Sequence, residues 1–310
     1  YGVFRSASEP GELPLIREPD PNDPKYQDYL KVLQEKEGAL TGFIDGEYVE
    51  VATHAREKVG DYLFAAYDAR DMTTDDPFQK LSRDRGLHSQ LLQRWRDYLK
   101  SEAATKDAVF RPWTSYAAIP AEEFAAKSAD LAKEFVANQN AEAPLNPRVA
   151  KAFEGEAPKS MAEVAERYGK LLRESDEDWR DLLAAHSQMA LRAPDAALTF
   201  PKTLPDPSEE ALRLGLYGPQ SPANIATTEV EQFLDIPTRD RITNLRNDVS
   251  RVFATHPGRP DRAMTLRDTD KPFDPYVFER GKPENRGKDV PRRFLAVLSG
   301  DTRTPFTQGS

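Results

Sequence analysis

Apolar side chains recur every three or four residues over long stretches of this chain, and this spacing constrains the fold more than any other feature. Such spacing places the apolar residues on one face of an α-helix. One stripe runs from Tyr26 to Ala66, and another runs from Met161 to Met189. The sequence therefore predicts a mainly α protein, an irregular helical bundle with long coiled-coil-like helices and a small β-containing C-terminal tail.

The first stripe is compatible with two structures. It forms either one helix of about 60 Å, at about 1.5 Å per residue, or a helical hairpin that breaks near Asp45 and Gly46. Gly38, Gly42 and Gly46 each weaken a continuous helix by about 1 kcal/mol. We therefore expect two long helical segments over residues 26–67.

Proline and glycine divide the chain into three parts. Residues 1–24 are rich in proline and polar residues, which predicts an extended N-terminal segment without a secondary-structure element. Residues 25–258 form the predicted helical bundle domain. In residues 259–310, the segments RAMTLRD and YVFERG predict two short strands joined through KPFDP. We interpret this last part as a turn-rich connector to a downstream domain.

Composition and motifs exclude several kinds of chemistry. The chain has no cysteine, which excludes disulfides, thiolate zinc sites, iron–sulfur clusters and covalent haem attachment. It has no phosphate-binding loop, dinucleotide-binding fingerprint or nucleophile elbow. We therefore expect no cofactor and no metal, and we assign no catalytic residue. Apolar runs of about five residues, against the roughly 20 needed to cross a bilayer, predict no membrane insertion.

Charge is distributed unevenly along the chain. The net charge is −9, yet residues 239–303 hold 15 Lys/Arg against 10 Asp/Glu. An acidic body repels nucleic acid, and opposite charges alternate within the basic segment. We therefore predict that nucleic acid is not a partner.

Two groups of residues are candidate binding sites. Trp113 and Tyr116, within FRPWTSY, can stack on a sugar ring if their faces are exposed, although packing in the core is the alternative. Arg280, Lys282 and Arg286 can form a small site for an anion or a sugar acid. Neighbouring carboxylates at positions 279, 284 and 289 would neutralise much of this positive charge.

The four histidines and the last apolar run have structural interpretations. His54, His88, His186 and His256 are far apart in the sequence, and none are spaced for a helical metal site. His186 lies on an apolar stripe, so we interpret it as a core histidine with one satisfied nitrogen. The run FLAVL (294–298) is expected to pack through Phe294, Leu295 and Leu298, together with Phe278.

Five segments occur in a characteristic order along the chain: YGVFRS, DYLFAA, GPQSPANI, YVFERGKPENRGKDVPRRFLAVLSG and TPFTQGS. Together they resemble large secreted planctomycete proteins that pair a cytochrome-c-like module with two uncharacterised domains. The resemblance implies that this chain lies between those two domains, in a protein that is secreted, periplasmic or at the cell surface. It supplies no catalytic residues, and the haem motif of the family belongs to another module.

Two functions fit these observations. The first is a non-catalytic helical scaffold or spacer domain of a secreted, multi-domain planctomycete surface protein, with the flanking domains of the parent chain as its partners. The second is a polysaccharide-binding or polysaccharide-processing domain with an aromatic and charged cleft. A pocket lined by a tryptophan and two carboxylates would favour the second function, and a well-packed bundle without a cleft would favour the first. We adopt the first function, in which the chain is not an enzyme.

Overall fold

The protein is mainly α-helical, as predicted. The computed structural model describes residues 8–14, 19–137, 144–192, 199–268, 273–282, 285–293, 296–300 and 304–306. Most of these residues lie in twelve α-helices, and the described strands form two small antiparallel pairs. None of the described helices is long and apolar enough to cross a membrane.

The bounds of the elements are as follows. The helices are α1 Pro24–Glu57, α2 Val59–Asp68, α3 Asp75–Asp84, α4 Ser89–Lys100, α5 Glu102–Lys106, α6 Arg111–Ala117, α7 Phe124–Ala137, α8 Pro147–Ala152, α9 Met161–Arg192, α10 Pro207–Tyr217, α11 Ile236–Thr255 and α12 Ala296–Ser299. The strands are β1 Ser8–Pro14, β2 Arg262–Asp268, β3 Tyr276–Phe278 and β4 Arg286–Asp289. Short 3-10 helices span Ala121–Glu123, Thr227–Phe233 and Glu279–Gly281.

The chain divides into two compact units. Residues 39–244 form one, here called the inserted unit, and residues 1–38 with 245–310 form the other, here called the terminal unit. The boundaries differ from those predicted after residues 24 and 258. The prediction followed proline and glycine, whereas the units divide inside α1 and α11, where the helical pattern of the sequence continues without a break.

Helix α1 is continuous through the position where a break was expected. It extends to Glu57, and the chain departs from it only at Lys58. A Cβ atom added to Gly38, Gly42 or Gly46 would meet no atom within 4 Å, so these glycines lie on an open face. Their intrinsic cost is outweighed because the opposite face packs against the core. The prediction of two segments divided near Gly46 is therefore wrong.

The core of the inserted unit is rich in aromatic side chains. Helices α2, α4, α6 and α9 contribute most of the large side chains that are fully buried. Most of the rings meet at tilted or perpendicular angles, as in the contact of Trp113 with Tyr168, where the centroids lie 5.6 Å apart at 85°. Phe110 instead stacks on Tyr168 at 11°. Such contacts stabilise a core beyond the area they bury. The largest buried residues are Trp95, Trp113, Tyr62, Tyr116, Tyr168, Phe110 and Phe153.

Helices α2 and α9 approach so closely that their backbones touch. A Cβ atom on Gly60 would lie 3.1 Å from the Ala165 carbonyl oxygen and 3.1 Å from the Gly169 Cα. A Cβ atom on Gly169 would lie 2.9 Å from the Gly60 Cα. Two glycines opposite each other therefore set the spacing of this helix pair.

The Tyr168 hydroxyl connects α9 to α6 inside the core. It accepts a hydrogen bond from the Trp113 backbone N–H at 3.1 Å and donates one to the Val109 carbonyl at 2.6 Å. Burial raises the pKa of this hydroxyl well above its usual value. Because the oxygen both accepts and donates, the polar group is satisfied where water does not reach it.

A buried carboxylate joins α1, α9 and α10. Asp176 is only 4% exposed. Its oxygens lie 3.2 Å from the Arg56 Nε and 3.1 Å from the Arg180 Nε, and it accepts a hydrogen bond from the Tyr217 hydroxyl. A charge in the interior destabilises the fold unless it is paired. These three partners make Asp176 a structural anchor.

Side chains cap the starts of the long helices α9 and α11. The Ser160 hydroxyl accepts the Glu163 backbone N–H at 3.3 Å, one residue before α9 begins. Helix α11 starts at Ile236. Its first turn is capped by the Asp235 carboxylate, which accepts the Thr238 N–H at 2.9 Å. Aspartate is as good an N-cap as serine or threonine.

The terminal unit contains a strand that the sequence did not indicate. Strand β1 lies in the segment predicted to have no element, and it pairs antiparallel with β2 from Ser8 opposite Asp268 to Pro14 opposite Arg262. Strand β2 is the predicted RAMTLRD strand. Strand β3, in YVFERG, pairs with β4. The β1–β2 pairing joins residues about 250 positions apart, which no local pattern reveals.

The apolar run near the C-terminus does not pack as expected. Phe278 is buried, with its ring 5.3 Å from that of Tyr276. Leu298, however, is 69% exposed on the single turn of α12. Phe294 and Leu295 lie outside the described residues. The expectation is therefore wrong for Leu298, because four helical residues are too few to bury one face.

Replacing Gly169 with alanine should destabilise the protein by about 1–3 kcal/mol, because the added methyl group forces α2 and α9 apart. Gly42→Ala is the matched control. Its methyl group meets no atom within 4 Å, so alanine should stabilise α1 by about 0.5–1 kcal/mol. Urea denaturation followed by far-UV circular dichroism gives both values. Equal effects of the two substitutions would contradict the close contact of Gly60 with Gly169.

Candidate functional site

Trp113 and Tyr116 lie in the core, not in a binding cleft. They are 1% and 0% exposed, because the short helix α6 turns both inward. The Tyr116 ring lies 5.6 Å from that of Phe135 and 5.1 Å from that of Phe153. Neither ring can stack on a sugar in this structure, so the interpretation of these two residues as a sugar-binding platform is corrected. Trp95 and Trp179 are buried as well.

The basic residues of the tail lie on an exposed hairpin turn. Arg280 has a φ of 55°, a left-handed conformation that costs roughly 1–2 kcal/mol outside glycine. Lys282 is exposed. Arg286 pairs with the Asp289 carboxylate at 2.9 Å and lies over the Tyr276 ring at 4.5 Å. At Arg286, a neighbouring carboxylate therefore neutralises the positive charge of the predicted anion site, as expected.

The candidate site is a cavity of about 690 Å³ in the inserted unit. Residues of α1, α3, α4, α11 and the 3-10 helix Thr227–Phe233 contribute to its walls. It brings together His54 and His88, whose ring centroids lie 4.8 Å apart. These two histidines are 34 positions apart in the sequence, so only the fold reveals that they are neighbours.

A chain of hydrogen bonds fixes the tautomer of the neutral His54 ring. The His88 backbone N–H donates to the Tyr62 hydroxyl oxygen at 2.9 Å, and that oxygen lies 3.3 Å from the His54 Nδ1. The His54 Nε2 lies 3.0 Å from the Gly86 carbonyl oxygen. A carbonyl only accepts, so Nε2 carries the hydrogen and Nδ1 accepts from the Tyr62 hydroxyl. Both ring nitrogens of His54 are therefore occupied within the fold.

Burial and neighbouring charges shift the pKa values of two further residues that line this cavity, His88 and Glu47. Burial and the neighbouring His54 lower the pKa of His88. A hydrogen bond to the Phe233 backbone has the opposite, smaller effect. The pKa of Glu47 is raised by burial and by the carboxylates of Glu50 and Asp235. The arrangement therefore favours the neutral form of His88 and the protonated form of Glu47.

Metal binding does not explain this arrangement. Within the described ranges, no group of three or more histidine and carboxylate side chains is placed to hold a metal ion. The nitrogens that a metal would need on His54 are already hydrogen-bonded. Sequence reasoning considered only histidines one helical turn apart, and it missed the His54–His88 pair because the contact is tertiary.

His186, interpreted as a core histidine, lies at the exposed end of α9. Its ring is 4.8 Å from that of Phe200, and its Nδ1 is buried without a hydrogen-bond partner in the described structure. Met189, on the same stripe, is 50% exposed. The prediction of one satisfied ring nitrogen is therefore not met at Nδ1, and the apolar stripe of α9 continues beyond the buried core.

The lowered pKa of His88 should make the protein less stable in mild acid. The unfolded chain binds the proton below about pH 6.5, whereas the folded protein binds it only at lower pH. The stabilisation that comes from neutral His88 is therefore fully present above pH 6.5, and it is lost as the pH falls through the lowered pKa of the folded protein. Between about pH 7.5 and 5.5, the free energy of unfolding from urea titrations should fall more in the parent protein than in His88→Gln. Equal losses would show that His88 does not titrate differently on folding.

Comparison of this chain with protein-family models, with curated proteins and with solved structures gives no match.

Proposed function

We propose that this chain is a non-catalytic helical scaffold domain of a larger, secreted multi-domain protein, and that it holds the domains on either side of it together. The observation that carries this proposal is the pairing of β1 with β2. The secreted planctomycete setting and the flanking domains come from the sequence resemblance.

The strand pairing favours a scaffold over an in-line spacer. Antiparallel partners such as Ser8 and Asp268 have Cα atoms about 5 Å apart. The chain therefore returns, after the inserted unit, to the strand from which it started. Long helices such as α1, of about 51 Å, do not set the separation between β1 and β2.

The candidate site supports a structural role for the inserted unit. In its cavity the imidazole of His54 hydrogen-bonds to Tyr62 and Gly86, and His88 bonds to the Phe233 backbone. A general base needs a nitrogen lone pair that is directed at a substrate. The Nδ1 lone pair of His54 is directed at Tyr62 instead, so these bonds connect α1, α2, α4 and the 3-10 helix Thr227–Phe233.

Spin labels can test the strand pairing on which the scaffold depends. The chain has no cysteine, so Glu9→Cys with Arg267→Cys gives two unique labelling positions on opposed residues. Pulsed electron spin resonance should give a narrow distribution of distances below about 20 Å, since label arms add to the strand spacing of about 5 Å. The sample in guanidinium is the control and should give a broad, long distribution. The same broad distribution in buffer would remove the main support for the scaffold.

The function itself is tested with separately expressed flanking domains of the parent chain. Calorimetric titration against this chain should show saturable association, and the thermal midpoint of the bound domains should rise because the ligand binds only the folded state. Absence of both effects would contradict the scaffold.

A glycan array tests the alternative function, polysaccharide binding. Glycan binding that is lost in the double variant His54→Gln, His88→Gln, with association of the domains unchanged, would support a polysaccharide site instead.

A further inference from the structure

A groove between α8 and α9 is lined by four cationic side chains. Its volume is about 390 Å³. Helix α8 contributes Arg148 and Lys151, three residues apart, and α9 contributes Arg167 and Lys170 with the same spacing. Ala152, Leu171 and Glu174 complete the wall. Positive charge is thus concentrated at one place in a chain whose net charge is −9.

Arg167 is held in place by neutral groups. Its Nη1 donates to the Ala152 carbonyl at 3.2 Å, and its Nη2 donates to the Glu156 carbonyl at 2.7 Å. The guanidinium also lies 5.4 Å from the centre of the Phe153 ring. The two carbonyls and the ring are neutral, the Glu156 carboxylate acts on Arg167 only at longer range, and three of the five N–H groups of the guanidinium remain free to donate. Arg167 is therefore a preorganised cation.

The carboxylates around the groove neutralise only part of its charge. Glu209 pairs with Arg148, and Glu174 lies 3.9 Å from the Lys170 ammonium. The Glu156 carboxylate pairs with Lys159, outside the groove wall. Among the described residues, no carboxylate oxygen lies within salt-bridge distance of Lys151 or Arg167, and the Glu156 carboxylate attracts Arg167 at longer range. Asp206, outside the groove wall, also attracts Arg148, so carboxylates compensate the four cations in part and Lys151 keeps its charge unpaired.

We propose that this groove binds a tetrahedral oxyanion, a phosphate or sulfate group that is either free or esterified to a small organic molecule. A phosphate group carries about −1.5 to −2 at neutral pH, and the cationic side chains that line the groove attract such a charge. Arginine presents its N–H groups in the fork that such oxyanions accept, and lysine adds a point charge. The volume leaves room for a body such as one sugar ring beside Ala152 and Leu171. This inference does not depend on the scaffold proposal.

Calorimetric titration at low ionic strength, about one tenth of physiological, tests the proposal with sodium phosphate, glucose 6-phosphate and glucose. Phosphate and glucose 6-phosphate should each bind at one site, and glucose should not bind. Tighter binding of glucose 6-phosphate would identify an esterified ligand, and equal binding would identify the free ion. The double variant Lys151→Gln, Lys170→Gln, changed only at exposed side chains, should bind at least about tenfold more weakly.

Lys106→Gln is the matched control, because Lys106 is an exposed lysine on α5, away from the groove wall, and it should leave affinity unchanged. Arg167→Gln should also weaken binding at least about tenfold, with a circular dichroism melt to show that the variant folds. The proposal fails if no phosphate probe gives saturable binding, or if the lysine double variant binds as tightly as the parent protein. Equal loss in Lys106→Gln would mean general charge attraction and would also overturn it.

Discussion

The contact between Gly60 and Gly169 is the constraint on which the rest of the inserted unit depends. A Cβ atom on either residue would come within about 3 Å of backbone atoms of the other helix, so the backbones of α2 and α9 are in direct contact at this point. That spacing places Tyr168, next to Gly169, where its hydroxyl reaches Val109 and the Trp113 N–H. A wider spacing of α2 and α9 would leave these buried polar groups without hydrogen-bond partners. This would lower the free energy of unfolding by more than the lost packing alone. The aromatic core and its internal hydrogen bonds are thus two consequences of one close approach.

The same helix pair also determines which polar groups stay inside. Asp176 lies two turns along α9 from Gly169, and it is buried with two arginines and the Tyr217 hydroxyl around it. Tyr62, two residues from Gly60 on α2, connects His54 to His88 just before α4. In both places a charged or titratable group is surrounded by partners from several helices. Such groups specify how helices are arranged, because each alternative packing would leave a buried polar atom unpaired.

The sequence predicted the helical class and part of the core, and the limits of that prediction have physical causes. The stripe on α9 correctly placed Val164, Tyr168 and Leu172 in the core, since a 32-residue helix shows its period clearly. Trp113 was misread because α6 has only seven residues, too few for a period to be recognised. The break in α1 was misplaced because glycine propensity was weighed without the packing of the opposite face. The His54–His88 pair and the β1–β2 pairing arise from tertiary contacts, on which local spacing carries no information.

The distribution of charged residues shows that position in the sequence and position in the folded protein carry different information. Counting along the chain identified residues 239–303 as the basic segment, with 15 Lys/Arg against 10 Asp/Glu. There, however, opposite charges three residues apart can meet, as Arg286 and Asp289 do. Residues 144–192 hold 8 Lys/Arg against 9 Asp/Glu and give no such signal, yet helices sort charges by face. Arg148, Lys151, Arg167 and Lys170 therefore share one groove, while most acidic residues of the same stretch lie elsewhere. Salt screens the interaction between charges that are more than about 10 Å apart. An anion is therefore attracted mainly by nearby cations that have no carboxylate partner.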